Sequence, residues 1–539
     1  MRDSTILVLI WLVATACNLD KAYHIDDTAH LEIAAWITAH PGAPMSGLVN
    51  WSDSARPIHE LNQPSLYFYI LAGWGRIFGY GETAMHALQS LFTLAATLFF
   101  FGIARIVVPP YAIILTALLI LGPAFVVGQN LMVDIPILAC SLAFFYLLLK
   151  PDVRSEHTRY TLAALTASAA VLMKYSCLPL LPLLLIHIVA RKQLRVLYAL
   201  LIPLAILTAW SLFNYFEYGS VHLLDRPSQA RTFERTSSMG LRWVIALGSI
   251  APFSVLVLAD TLGRMRKWTV SRRAFTIAGA LVSIVVATLY LRNRQPYPHA
   301  LLAALFVVNG AYLLVAAGLA LRAQNPRPAP LLYLWLAAVS GFIVLFAPFL
   351  ATRHVLLSVP PLLLILGTKL PARPRPRAAF AAILATVFLS ANLVIADWRF
   401  ADYYRRQAPV IRAALPSEST VWFTGHWGWQ WYAKKNGMRQ IDLRRSRPEP
   451  EPGSRPGPGD YIVRPLAIHQ QEIDPELRLE LHDVISDPPV ERPRFNTANG
   501  SASFYSAHYL PWTINREPFG SIEIYRITGV TTMAGPPPD

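Results

Sequence analysis

Three long apolar runs decide the fold, AMHALQSLFTLAATLFFFGIARIV (84–107), PYAIILTALLILGPAFVVG (110–128) and MVDIPILACSLAFFYLLL (132–149). As a helix, each run is close to the length needed to cross the ~30 Å hydrocarbon core of a bilayer. Similar runs recur as far as residue 396, and the chain is 54% hydrophobic but only 15% charged. Soluble domains carry nearer a quarter charged residues, so the sequence predicts a polytopic α-helical membrane protein.

About thirteen membrane-spanning helices are predicted from the apolar runs. They cover residues 5–19, 84–107, 110–128, 132–149, 160–173, 177–190, 196–216, 241–260, 274–291, 299–321, 331–350, 354–369 and 378–396. A long first outer loop, 20–83, separates the first two, and its stretch 64–79 is predicted as an amphipathic helix at the outer interface. An alternative is that 64–79 is a further span.

The positive charge lies entirely in the membrane half of the chain. Residues 1–396 hold 30 Lys and Arg against 15 Asp and Glu, whereas residues 397–539 hold 17 of each. This distribution argues against nucleic-acid binding and favours orientation of the helices by cytoplasmic positive charge. Basic residues gather in the loops that this topology places inside, 154–159, 191–195, 264–273, 322–327 and 369–377. We expect a multi-pass protein of the bacterial inner (plasma) membrane, with its N-terminus inside and its C-terminal region outside.

Residues 397–539 differ in composition from the rest, being rich in proline and charge. Strand-like runs at 420–424 and 460–463 flank a helix-like run, 430–435, which ends near Gly437. The sequence therefore predicts a transmembrane domain at 1–396 and a small periplasmic or extracellular α/β or α+β domain at 397–539.

The three cysteines, Cys17, Cys140 and Cys177, all lie in apolar runs. This placement favours core packing over a disulfide framework or a metal cluster. Residues 12–17 resemble a lipoprotein cleavage sequence, but a dozen further apolar runs favour an uncleaved first helix.

Carboxylates beside a bilayer are costly to hold, so they mark candidate sites of chemistry. Asp26 and Asp27 follow the first span, with His24 and His30 close by, and Asp134 opens the fourth span on the same predicted side. An aspartate can act as a general base. The alternative is that each merely caps a helix. A divalent cation at Asp26 and Asp134 is a further option that the pattern does not require.

Cations also lie on the predicted outer side, where they oppose the orientation bias. Lys174 stands between two apolar runs, and arginines occupy the outer loops at Arg231, Arg235, Arg292, Arg294 and Arg353. Guanidinium groups match phosphate geometry, so these residues are candidate ligands of a lipid phosphate. The alternatives are that Lys174 extends to the interface and that some arginines pair with nearby acids.

The order and spacing of these motifs resemble the GT-C class of membrane glycosyltransferases, in particular its protein O-mannosyltransferases and lipid A aminoarabinose transferases. The matching positions are the acidic pair Asp26-Asp27, residues 62–69 with Phe78-Gly79, Met132–Pro136, Lys174, and Arg353-His354 with Pro360-Pro361. Asp27 replaces the glutamate usual in that family, Gln63 stands where relatives often carry Lys or His, and His354 replaces Tyr.

The resemblance implies an inverting glycosyltransferase, of the hexosyl- or pentosyltransferase type, that uses a sugar on a polyprenyl phosphate. The acceptor would be a glycan, a lipid or a protein at the outer face of the membrane, and no cofactor is required. We expect Asp26 as base, Asp27 or Asp134 as its partner, and Lys174 with Arg353 on the phosphate. The other four arginines are reserve phosphate ligands. Five residues are acceptor or loop candidates: His24, His30, Gln63, Tyr67 and His354.

Two other classes of function suit the same charges. A transporter or flippase of lipid-linked sugars would line its path with them, although such carriers often contain internal repeats and none is found here. A membrane scaffold whose outer domain binds a partner is the third interpretation.

Overall fold

The structure, a computed structural model, describes residues 3–531 except 62, 151–154, 226–231, 267, 322–328, 444–454, 489, 499–501 and 507. The helices are α1 Asp3–Ala16, α2 Asp27–Ala39, α3 Leu66–Phe78, α4 Glu82–Val107, α5 Ala112–Ile120, α6 Pro123–Val127, α7 Asp134–Leu149, α8 Glu156–Met173, α9 Leu180–Ala190, α10 Leu201–Tyr218, α11 Phe233–Ser249, α12 Ser254–Met265, α13 Val270–Arg292, α14 Tyr297–Ala320, α15 Ala329–Phe346, α16 Val359–Gly367, α17 Pro376–Ala414 and α18 Trp427–Lys435. The strands are β1 Leu48–Asn50, β2 Ala55–Pro57, β3 Val421–Phe423, β4 Arg439–Gln440, β5 Tyr461–Pro465, β6 Leu477–Ser486, β7 Arg494–Asn496, β8 Thr513–Asn515 and β9 Ser521–Val530.

The predicted membrane helices are present. Within the described residues, five helices are long and apolar enough to cross a membrane: Glu82–Val107, Leu194–Tyr218, Val270–Arg292, Tyr297–Ala320 and Pro376–Ala414. The pair α11 and α12 also passes when taken together. Shorter apolar helices are Asp3–Ala16, Pro109–Ile120, Asp134–Leu149, Tyr175–Ala190, Pro330–Phe346 and Thr352–Gly367. With α8, each predicted run coincides with a helix or a helix pair, and the prediction of a polytopic helical membrane protein is confirmed.

One predicted span has a different shape. The sequence predicts a single helix over 241–260, whereas α11 and α12 meet at an angle of 83°. The break spans residues 250–253 and contains Pro252, which lacks the N–H needed to continue a helical ladder. The apolar run was therefore identified, but its bend was not.

The outer surface of the helical array is apolar. Side chains of α13 leave more than half of their surface uncovered, among them Leu281, Val282, Val285, Val286 and Leu289. Such a surface is unfavourable in water, and in a bilayer it meets lipid tails of the same polarity.

The first outer loop folds against the C-terminal region. It contains α2, the antiparallel pair β1 and β2, and α3, which matches the interfacial helix predicted at 64–79. Residues of α2 pack against α3 on one side and against α18 on the other. The loop is therefore a packed layer between the membrane helices and the C-terminal sheet.

The C-terminal region is built on a five-stranded sheet with the order β4-β3-β5-β9-β6. Strand β3 runs parallel to β4 and β5, while β5, β9 and β6 pair antiparallel. The strands predicted at 420–424 and 460–463 are β3 and β5, and the intervening helix is α18, followed by Gly437 with φ of 78°.

A single helix joins the membrane half to this sheet. Helix α17 runs without interruption from Pro376 to Ala414, so the boundary predicted at 396/397 falls inside it. The division of the chain into two domains stays a prediction, and the linker between them is helical.

Candidate active site

The acidic pair lies at the start of α2, and its two members differ in environment. Asp26 occupies the N-cap position, but its side chain makes no capping hydrogen bond. Asp27 is fully buried, and its carboxylate accepts hydrogen bonds from the backbone N–H groups of His24 and Leu131, both at 2.8 Å. Burial raises the pKa of Asp27 to about 7, against the lowering effect of these two donors. The side chain of Asp27 thus fastens two loops together.

Backbone strain precedes the pair. Ile25 has φ of 49°, in the left-handed region that β-branched residues rarely adopt. Its side chain is buried, and strained residues of this kind persist only where their surroundings hold them. The strain turns the chain so that Asp26 faces Arg353 while Asp27 points inward.

Arg353 connects the first outer loop with the fourth predicted span. Its Nη2 donates to Asp26 Oδ2 at 3.1 Å, and its Nε lies 3.4 Å from Asp134 Oδ2. Lys174 Nζ donates to the other oxygen of Asp134 at 2.8 Å. Two carboxylates and two cations therefore alternate along one chain of contacts. Asp134 is the first residue of α7, and its carboxylate pairs with these cations instead of capping the helix.

A cavity of about 100 Å³ opens beside Asp134, Lys174 and Arg353, whereas Asp26 is not among its lining residues and adjoins it through Arg353. Its polar lining is Gln63, Asp134, Lys174, Ser176, Arg353 and His354, and its apolar lining is Phe342, Ile343, Phe346, Ala347, Pro348, Phe349 and Leu357. One wall is thus charged and the other is rich in aromatic carbon. A ligand with a phosphate group at one end and a hydrocarbon chain at the other would match both walls.

The remaining acceptor and loop candidates separate into two groups. Gln63 and His354 line the cavity. His30 is buried with its Nδ1 2.8 Å from Leu131 O, and the hydroxyl of buried Tyr67 lies 3.3 Å from Gln89 Oε1. His24 is buried against Asp397, where burial lowers the pKa of its imidazole. The structure does not bring these last three to the cavity.

The other outward arginines lie apart from the charged wall. Arg235, on α11, donates to Ala347 O at 2.6 Å and so reaches the rim of the cavity. Arg294 donates to the hydroxyl of Tyr509, and Arg292 ends α13 with an exposed side chain. Arg231 lies outside the described residues. Of the five outer-loop arginines, the structure brings Arg353 to Asp134 and Lys174.

The site does not fit the divalent cation considered at Asp26 and Asp134. The guanidinium of Arg353 lies between the two carboxylates. In the part of the chain that the structure describes, no group of three or more His, Cys, Asp or Glu side chains has metal-binding geometry.

A second cluster of buried polar groups was not predicted from the sequence. Lys21 Nζ bonds both Asp397 Oδ2 and Asn130 Oδ1, the latter at 2.6 Å, and the Lys21 and Asp397 side chains are fully buried. A lysine at the end of the first apolar run and an aspartate at the end of the last one were the available signals. Nothing in the sequence pairs them, because they are 376 positions apart.

Fold and site together define a polytopic membrane protein with a charged cavity close to its C-terminal region. Residues 62–216 match the sequence model of a family described as dolichyl-phosphate-mannose-protein mannosyltransferase. The match confirms the predicted resemblance to GT-C membrane glycosyltransferases, and the matched segment includes Gln63, Asp134 and Lys174.

Two solved structures are similar over most of the chain. ArnT from Cupriavidus metallidurans bound to undecaprenyl phosphate is 15% identical, with 86% of this chain and 92% of that chain covered and a TM-score of 0.42. The oligosaccharyltransferase AglB from Archaeoglobus fulgidus, in complex with an inhibitory peptide and a dolichol-phosphate, is 13% identical, with 81% and 64% covered and a TM-score of 0.47. No curated protein matches the chain by sequence.

Proposed function

We propose that the protein is an inverting glycosyltransferase that moves a sugar from a polyprenyl-phosphate donor to an acceptor at the outer face of the membrane. The observation that carries the proposal is the cavity whose one wall holds Lys174 and Arg353 and whose other wall is apolar. The family resemblance of residues 62–216, which contribute Lys174 and Asp134, supports the same reaction class.

Lys174 and Arg353 would bind the donor phosphate and stabilise the charge that it gains as the sugar leaves. The ammonium of Lys174 has three donors, and Asp134 accepts one of them. Asp26, Asp134, Lys174 and Arg353 have a formal sum of zero charge, so the resting site needs no counter-ion. A phosphate that enters would share the two cations with the carboxylates.

Asp26 would act as the general base. Its side chain is 25% exposed, whereas that of Asp134 is 4% exposed, so Asp26 is the more accessible carboxylate of the pair. In the proposed step, the acceptor oxygen or nitrogen attacks the anomeric carbon of the sugar. The bond between this carbon and the phosphate oxygen breaks at the same time. Asp26 takes the acceptor proton, and the electron pair of the broken bond stays on the phosphate. A single displacement of this kind inverts the anomeric centre.

The polyprenyl chain would lie along apolar surface that adjoins the charged wall. Phe342, Phe346 and Phe349 supply this surface inside the cavity. A second groove, lined by Ser65, Leu66, Tyr69, Leu172, Trp210 and Phe213, begins two residues from Gln63 and from Lys174 in sequence. The groove lies between α3, α8 and α10 and could guide a lipid to the cavity.

Replacement of the proposed base tests the reaction. Asp26→Asn keeps the shape of the side chain but removes its ability to take a proton, so turnover should fall by at least about a hundredfold. The measurement is release of polyprenyl phosphate from polyprenyl-phosphate sugars, with solubilised cell-envelope material as the source of acceptors. Asp20→Asn is the matched control, because the Asp20 side chain is 79% exposed.

Unchanged turnover in Asp26→Asn, at an unchanged melting temperature, would remove the base assignment. Transbilayer movement of the lipid-linked sugar without release of polyprenyl phosphate would replace the transferase by the carrier alternative.

Lys174→Met tests the phosphate site. The substitution keeps an unbranched side chain and removes the ammonium, so the donor KM should rise about tenfold or more, as expected for a lost charge-assisted contact. Lys150→Met, at the opposite end of α7, is the control and should leave the donor KM unchanged. A wild-type donor KM in Lys174→Met would place the phosphate elsewhere.

A further inference from the structure

Two residues of the C-terminal region, Phe504 and Tyr505, lie against both loops that build the candidate site. The backbone N–H of Thr352 donates to Phe504 O at 3.1 Å, immediately before Arg353. The Nδ2 of Asn130 donates to the hydroxyl of Tyr505 at 3.0 Å. The C-terminal region therefore contacts one loop immediately before Arg353 and the other loop four residues before Asp134.

The hydroxyl of Tyr505 enters a buried group of side chains, the Asp397 cluster, which consists of Lys21, His24, Asn130, Asp397, Thr497 and Tyr505. Tyr505 donates to Asp397 Oδ2 at 2.6 Å, and Thr497 donates to Asp397 Oδ1 at 2.9 Å. All six side chains are buried. Asp397 stands at the end of the last predicted span, so the cluster joins the membrane helices to the C-terminal region.

The Asp397 cluster adjoins both backbone groups that donate hydrogen bonds to Asp27. Asn130 belongs to the cluster, and the next residue, Leu131, donates its N–H to Asp27. His24 lies 3.3 Å from Asp397 through its ring, and its backbone N–H is the other donor to Asp27. A shift of either residue would move the segment that carries Asp26.

We propose that Tyr505 is a positioning residue for glycosyl transfer. It fixes the loop at Asn130, and this loop in turn holds the segment that carries Asp26 and Asp27. The inference rests on the proposed function and assigns to the C-terminal region a part in assembling the site. Tyr505 acts through Asn130 and Asp397 and touches no substrate.

Tyr505→Phe separates this role from a merely structural one. The substitution removes one oxygen atom, so Asn130 loses an acceptor and Asp397 loses a donor. We expect kcat to fall about ten- to a hundredfold, the range that a displacement of about 1 Å can cause. The donor KM should stay within about twofold, because Lys174 has no bond to the cluster and the bond from Thr352 to Phe504 is retained.

The experiment combines steady-state kinetics of the full-length protein with hydrogen–deuterium exchange of the peptide that covers residues 127–134. Tyr505→Phe should accelerate exchange there, since the Leu131 amide is protected by its bond to Asp27. Tyr403→Phe is the matched control, because Tyr403 is also buried and its hydroxyl donates to Ile485 O, away from both loops. The control should leave kcat and this exchange unchanged.

The outcomes distinguish failure of the positioning role from failure of the proposed function. Wild-type kcat in Tyr505→Phe, with or without faster exchange, would overturn the positioning role, and so would an equal loss in Tyr403→Phe. If the wild-type protein turns over none of the donors, the proposed function fails. The exchange of residues 127–134 would then still report whether Tyr505 holds that loop.

Discussion

Arg353 lies between two carboxylates, and this position limits what can replace it. Its planar guanidinium presents Nη2 to Asp26 and Nε to Asp134 at the same time. A lysine ammonium is a compact charge on a flexible stem and cannot reproduce this fork. Arg353→Lys should therefore lower kcat/KM about a hundredfold or more, equivalent to about 2.7 kcal/mol of transition-state stabilisation.

The control for this prediction is Arg56→Lys, since Arg56 forms an exposed pair with Glu60 that should contribute little. Steady-state assays of both variants provide the comparison. Near-wild-type kcat/KM in Arg353→Lys would show that the two-carboxylate contact is unimportant.

At this scale the sequence predicted residue types better than roles. Asp26 and Asp134 were proposed because carboxylates beside a bilayer are costly, and Lys174 and Arg353 because cations on the predicted outer side oppose the orientation bias and suit a phosphate. The different environments of Asp26 and Asp27 arise because Asp27 accepts hydrogen bonds from backbone N–H groups that only the folded loops supply. Arg353 was preferred to the other outer-loop arginines because of the family resemblance, and its contacts with Asp26 and Asp134 are seen only in the folded protein.

Among the elements, the crossing of α11 and α14 depends on two glycines. A Cβ at Gly248 would lie 1.8 Å from Phe306 O, and one at Gly310 would lie 2.3 Å from Val244 O. Small residues at such crossings let membrane helices approach closely. Gly248→Ala should force the helices apart and destabilise the protein by about 1–3 kcal/mol.

Gly240, on the same helix, is the matched control, because a Cβ there meets nothing within 4 Å. Gly240→Ala should be neutral or stabilise by up to about 1 kcal/mol. Thermal melting of the detergent-solubilised variants is the measurement. Equal melting temperatures for the two variants would contradict the close-packing argument.

The elements themselves were largely predictable. Long apolar runs located the helices, and short strand-like runs of apolar residues located β3 and β5. The bend between α11 and α12 was missed, because an apolar run reports burial in lipid but not the direction of its axis.

For the whole molecule, the charge distribution predicts which side each region faces. Ser417 follows α17 and is exposed. Ser271, in the first turn of α13, is also exposed and belongs to residues 264–273, which the charge distribution places in the cytoplasm. In a Cys17→Ser background, Ser417→Cys should react with a membrane-impermeant maleimide in spheroplasts, whose inner membrane is sealed. Ser271→Cys should react only after lysis.

The reverse labelling pattern would show that the predicted topology is wrong and that the candidate site lies on the cytoplasmic side. The prediction rests on the concentration of Lys and Arg in one set of loops of the membrane half.

The contacts of the Asp397 cluster between distant parts of the chain were not predicted from the sequence. The bond from Tyr505 to Asp397 spans 108 positions, and no local pattern encodes it. A single sequence shows that each group is polar, but its partner is seen only when the helices and the C-terminal region are packed together.

Helix α17 has 39 residues and is about 58 Å long at 1.5 Å per residue, nearly twice the ~30 Å hydrocarbon thickness. The helix is therefore longer than the hydrocarbon core is thick, and its last turns, which include Pro409, lead to the first strand of the C-terminal sheet. Under the proposed function, the length of this helix would set how far above the bilayer an acceptor meets the C-terminal sheet.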